Sequence, residues 1–134
     1  MRARSCTLIL SAPILASTWV MAVADIDDSD YSVALDSALV EIAMRKCEVS
    51  MTSKGRELVQ VFSVNESATR GGKPNSAHVE GIRAGLRMRR ELAISSNGDP
   101  NVMCMTLRRM YGKNGTVRED VLHFYSTNGL YKQD

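Results

Sequence analysis

The chain has 134 residues, enough for a single domain, and carries 17 Lys and Arg against 15 Asp and Glu. Arg2 and Arg4 belong to a leader-like start; without them the balance is 15 to 15, which argues against a globally basic nucleic-acid binder. The charge is uneven all the same: "DIDDSD" (Asp25 to Asp30) is acidic, and "GIRAGLRMRRELAIS" (Gly81 to Ser95) holds four arginines.

Residues 1–24 read as a secretory signal peptide. Arg2 and Arg4 form a positive start, "TLILSAPILASTWVMAVA" is apolar, and Ala22-Val23-Ala24 supplies a small-residue cleavage site. The apolar run is short for a spanning helix and is interrupted by Ser11, Pro13, Ser17 and Thr18, so a retained anchor is the alternative. Export leaves one domain, 25–134, secreted or periplasmic, with no membrane contact after cleavage. Of the three cysteines, Cys6 leaves with the leader, and Cys47 and Cys104 remain. In an exported protein two remaining cysteines predict one disulfide; two buried free thiols are the alternative. "NES" at Asn65 and "NGT" at Asn114 match the N-glycosylation acceptor pattern, which matters only for a eukaryotic source.

The first element of the mature chain is helical. In "YSVALDSALVEIAMRKC" Leu35, Ala38, Leu39, Ile42 and Ala43 recur at helical spacing without Gly or Pro. Asp30 or Ser32 can cap the start, and the helix is expected over about 32–47. "RELVQVFSV" (Arg56 to Val64) is short and rich in β-branched and aromatic residues, which predicts a strand. Asn65 to His78 reads as a loop, with Gly71-Gly72 and Pro74. From Ile82 every second residue to Ile94 is apolar except Arg90, and Gly81 and Gly85 would weaken a helix interior by about 1 kcal/mol each, so this stretch also reads as a strand.

Asn97-Gly98, Asn114-Gly115 and Asn128-Gly129 then separate "VMCMTLRRMY" from "TVREDVLHFYS", as hairpin turns separate strands. The expected fold is α+β, one helix packed on a four-stranded antiparallel sheet. The alternative is an all-α four-helix bundle, supported by Asp99-Pro100 as a helix start and by Thr116 with Glu119 as a capping box.

Chemistry-bearing patterns are sparse. His78 and His123 are the two histidines, and a small hydrolase using them is one functional hypothesis. No nucleophile elbow, phosphate loop or metal-ligand spacing is present, so no cofactor and no metal are expected. On a strand, Arg83, Arg87 and Arg89 would share one face, either as an anion-binding stripe or as a solvated face paired with Glu91, Glu119 or Asp120.

Local motifs resemble the cystatin family. "ALDSALVE" (Ala34 to Glu41) is similar to a segment of the helix of secreted cystatins, and "RELVQV" to the strand after it. "GIRAG" resembles their first inhibitory hairpin, with Gly81 at the Gln position, Arg83 at the Val position and Gly85 at the Gly. In the region like the second hairpin, Gly112-Lys113 replaces Pro-Trp. The resemblance implies a non-enzymatic, secreted cystatin-like binding protein, a weak or lapsed inhibitor of papain-like cysteine proteases. Its binding loops would be Gly81, Ile82, Arg83, Ala84 and Gly85, with Gly112 and Lys113. It also implies a monomer or a hairpin-swapped dimer. The alternative is an exported adaptor or chaperone-like protein that binds an acidic partner through Arg83, Arg87 and Arg89.

Overall fold

The computed structural model describes residues 30–126 and 131–132, so the expected leader and the Asn128-Gly129 turn lie outside the described residues. Helix α1 spans 30–46, two residues earlier at its start than the sequence suggests and one residue shorter at its end. Val33, Ala34, Leu39, Val40 and Ala43 are buried along it, and so are Asp36 and Ser37. A helix enclosed on that many sides is a central element, and the remaining chain packs around it. Asp30 sits inside its first turn and accepts from Asn65 Nδ2 (3.2 Å) and Asn75 Nδ2 (3.3 Å), drawing later elements against it.

After Cys47 the chain forms strand β1 (Val49–Met51) and then α2 (Ser53–Arg70). Thr52 caps α2: its side-chain oxygen accepts from the Gly55 amide at 3.1 Å. Helix α3 (Ser76–Ser95) starts at Asn75, whose side chain accepts from the His78 amide at 3.0 Å. Asn97 and Gly98 take φ of 54° and 72°, and the Gly98 amide donates back to the Ala93 carbonyl at 3.1 Å. That Asn-Gly pair therefore ends a helix; it does not turn a hairpin. Helix α4 (Pro100–Tyr111) follows at once, capped by Asp99 with Pro100 in its first turn.

Residues 113–121 are irregular, and the carbonyls at the end of α4 satisfy their amides: Asp120 donates to Gly112 (2.8 Å) and Val121 to Tyr111 (3.1 Å). Strand β2 (Leu122–Phe124) then pairs antiparallel with β1, Val49 opposite Phe124 and Met51 opposite Leu122. The sulfurs of Cys47 and Cys104 stand 2.06 Å apart in a disulfide that fastens the end of α1 to α4. Leu39, Val40, Leu107, Tyr111 and Leu122 pack around it as the core.

The expected helix-on-meander fold is overturned. Four helices and a two-stranded sheet are found among the described residues, closer to the helical alternative, which lacked the small sheet. In α3, His78, Gly81, Ala84, Gly85 and Leu92 are buried, a spacing of threes and fours, whereas Ile94, apolar in the alternating count, is 75% exposed. In α2 the buried Gly55 and Leu58 and the half-buried Phe62 make the inner stripe, and Val61 and Val64, which suggested a strand, face outward. The loop assigned to Asn65 to His78 contracts to residues 71–75. Cys104, Leu107 and Tyr111 repeat the helical spacing in α4, so the disulfide joins helix to helix and not helix to sheet. The Thr116 and Glu119 box starts no helix.

Candidate functional site

Helix α3 carries most of the residues singled out from the sequence, and its helical conformation redistributes them. Gly81 and Gly85 face α1 at close range. A Cβ on Gly81 would lie 2.7 Å from the Ala34 Cβ, and one on Gly85 2.6 Å from the Ala38 Cβ. The glycines thus let two helices approach through a seam of small residues, with Ala84 buried beside them. Register follows from the same contacts. Gly81 meets Ala34 and Gly85 meets Ala38, so α3 runs parallel to α1.

The expected protease-binding loops are corrected by this packing. "GIRAG" lies inside a helix and presents no hairpin tip: Gly81, Ala84 and Gly85 are buried, Ile82 is half-buried and Arg83 is exposed. The Arg83 guanidinium donates to Glu80 at 2.7 Å. Gly112 is buried as the C-cap of α4, and Lys113 is exposed in the turn beyond it. The two groups thus lie on separate elements, the first helical throughout.

The arginine row is also rearranged. With about 100° per residue, Arg83, Arg87 and Arg90 fall on one exposed face of α3, and Ile94 continues it one turn further. Arg89 turns to the adjoining flank with Ile82 and Leu86, where all three line a cleft. Arg87, Arg89 and Arg90 have no hydrogen-bond or ion-pair partner among the described residues.

That cleft is a cavity of about 400 Å³ between α1, α2 and α3. Its floor on α1 includes Ala34, Ser37 and Ala38; Val59 and Phe62 of α2 wall one side, and Ile82 and Leu86 of α3 the other. Ser37 is only 7% exposed, and its hydroxyl has no hydrogen-bond partner. An unmet buried hydroxyl costs about 1–3 kcal/mol, which sets Ser37 apart from the apolar residues around it. Glu41 also lines the cavity and accepts from Arg45 at 3.5 Å.

His78 is fully buried at the start of α3, not in a loop. Its Nε2 pairs with Glu66 Oε1 at 2.8 Å, its ring lies 5.0 Å from the Phe62 ring, and its Nδ1 has no partner. The hydrogen bond from His78 holds the Glu66 carboxyl below its usual range, against burial acting the other way and with help from Arg70. His123 is exposed on β2 against the edge of Tyr125. The two histidines occupy separate elements, and the enclosed one serves as a strut between α2 and α3.

Asn65 is half-buried within α2 and engaged with Asp30, whereas Asn114 is exposed in the turn after α4. Among the described residues no group of three or more His, Cys, Asp or Glu converges as metal ligands would, and no helix is long and apolar enough to cross a membrane.

Sequence reasoning missed Ser37, Glu66 and the pairing of α1 with α3. A usable signal was the Glu-to-Arg spacing of four at Glu41 and Arg45 and at Glu66 and Arg70, since such pairs meet only on a helix. No protein-family model, curated protein or solved structure matches this chain.

Proposed function

We propose that the chain is an exported, non-enzymatic helical binding protein that docks an acidic protein partner on the outer face of α3. The observation that carries this reading is the helical alignment of Arg83, Arg87 and Arg90, all exposed, with Arg87 and Arg90 unpaired among the described residues. Ile94, 75% exposed at the end of the same face, adds an apolar contact beside the guanidinium groups. Guanidinium forks suit carboxylates in two-point contact. The secretory leader in the sequence and the buried Cys47–Cys104 disulfide support work in an oxidising compartment. Protease inhibition through two hairpin wedges is not retained, because one of those segments is helix and the other a helix cap.

The test uses a fluorescent oligoglutamate peptide at low and moderate salt. The Arg87→Glu/Arg90→Glu protein is expected to lose at least tenfold in affinity, and the control Arg45→Glu/Arg70→Glu to lose little. Equal losses in both proteins would show a diffuse charge effect and defeat the proposal. Binding that does not weaken with salt would defeat it as well.

A further inference from the structure

We infer that the cleft between α1, α2 and α3 binds a single-chain amphiphile with an anionic head, of the fatty-acid type. This site lies on the flank of α3 away from the arginine face and does not depend on it.

The cleft's shape follows from its helices. Helix α2 starts near the end of α1, after β1, and returns to the start of α1, where Asn65 meets Asp30. Beside it, α3 is clamped to α1 by Gly81 and Gly85. His78 joins α2 to α3 near their connecting turn, through Glu66 and Phe62. Beyond that joint the two helices leave a trough floored by small residues of α1. Its volume of about 400 Å³ is that of a small-molecule pocket, which typically runs about 300–1,000 Å³. Met44 and Met51 stand on its walls with Val59, Phe62, Ile82 and Leu86. Thioether side chains adapt their shape to a flexible apolar occupant.

Two polar groups give the occupant its head. Ser37 is buried on the floor with an unpartnered hydroxyl. Arg89 is half-buried on the wall with no partner among the described residues. Helical side chains lean toward the N-terminus of their own helix. Arg89 therefore reaches back toward the turn of Gly85, which is level with Ala38 and so with Ser37. A carboxylate there accepts from the guanidinium while its chain lies along the apolar walls, and a turn of the enclosed Ser37 side chain brings its hydroxyl to the same carboxylate. Glu41, the acidic group on the lining, is held by Arg45 (3.5 Å).

The experiment uses the full chain carried through export, with its N-terminus read by intact mass, and titrates dodecanoate, dodecanol and dodecylamine calorimetrically below their micellar concentrations. Dodecanoate is expected to saturate one site at least tenfold more tightly than dodecylamine, and to weaken roughly fourfold for each methylene removed. Arg89→Gln is expected to abolish the preference for the acid while dodecanol binding stays. Ser37→Ala should weaken dodecanoate several-fold. Ser63→Trp, which fills the trough from an exposed lining position, should block all three, and Arg87→Glu/Arg90→Glu should block none. Circular dichroism checks that each variant is folded. The proposal is overturned if dodecylamine binds as well as dodecanoate, or if Ser63→Trp binds like the parent protein. It is overturned too if none of the three binds the folded protein, including the case in which mass shows residues 1–24 retained.

Discussion

The Tyr111 hydroxyl donates a 2.7 Å hydrogen bond to one carboxylate oxygen of Asp36, in a place where both residues are almost wholly enclosed. The other oxygen accepts from Arg118 Nε, and the same guanidinium reaches Ser32 at 3.1 Å. The cluster ties α1 to the end of α4 and to the irregular chain after it, so a buried carboxylate is tolerated where it stands because its charge and acceptors are met. Tyr111→Phe keeps the ring and removes one donor to a charged group. Urea unfolding should show a loss of about 1.5–3 kcal/mol; an unchanged midpoint would mean that Arg118 alone satisfies Asp36.

Burial first, and then the charge of Asp36 beside it, push the Tyr111 phenol far above its usual value of 10.0. An acid whose folded-state value is raised contributes stability below its unfolded value and loses it as pH rises toward the folded one. Tyr111 should therefore stay protonated in the folded protein well above its usual value of 10.0. Phenolate absorbance should rise in two stages, the later one coinciding with loss of helical circular dichroism. A single early stage would contradict the burial.

The parts of this fold legible in the sequence are those whose signals are local. Helix α1 announces itself by apolar spacing without breakers, Asp99-Pro100 marks the start of α4, and Cys47 and Cys104 are the two cysteines that follow Cys6, so their pairing is the simplest one. Helix α3 is not legible as a helix because the meaning of Gly81 and Gly85 resides in Ala34 and Ala38, on another helix. Local propensity counts a glycine as weakening, while the packed seam needs the missing Cβ. Val61 and Val64 in α2 misled for the converse reason: their branched side chains favour strands in general, yet here they point to solvent and decide nothing. Strands β1 and β2, three residues each, are too short to show a period. The candidate sites inherit these errors. Once α3 is a helix, Arg90 replaces Arg89 on the exposed row and Arg89 joins the cleft.

Glu66 offers an acid-side test. A carboxyl held low by His78 contributes stability above its unfolded value of 4.5 and loses it as pH falls through the folded value. Glu66→Gln should flatten the fall in thermal midpoint below about pH 4.5 and lower the midpoint modestly near neutrality. An acid limb identical to that of the parent protein would place the sensitivity elsewhere.

The disulfide closes a separation of 57 residues, for which the chain-entropy model gives about 4 kcal/mol. Both sulfurs are enclosed, so replacement by alanine leaves little room to relax. Cys47→Ala/Cys104→Ala should lower unfolding stability by a large part of that figure, read from the urea midpoint, with helical content kept at low temperature. A loss under about 1 kcal/mol would show that the α1–α4 contact is held by packing alone.

The seam between α1 and α3 makes the sharpest prediction, because two principles oppose each other there. Gly85→Ala should gain about 1 kcal/mol of helix propensity. The new methyl would nevertheless sit 2.6 Å from the Ala38 Cβ, inside any ordinary contact, with the Leu35 carbonyl oxygen at 3.2 Å. Neither neighbour is the far end of a flexible side chain, so relief requires moving one helix against the other, and overpacking of that kind costs about 1–3 kcal/mol. The net effect should be a lower stability, and Gly85→Leu should be worse. Moving the methyl across the seam separates the terms: Ala38→Gly/Gly85→Ala keeps the total volume and removes the closest contact, leaving the Leu35 carbonyl at 3.2 Å. The double variant should be more stable than Gly85→Ala alone, with a coupling of about 1 kcal/mol or more in a double-mutant cycle read by urea unfolding. If Gly85→Ala stabilises the protein and the cycle shows no coupling, α3 does not pack on α1 through Gly85, and the parallel register of the two helices is lost with it.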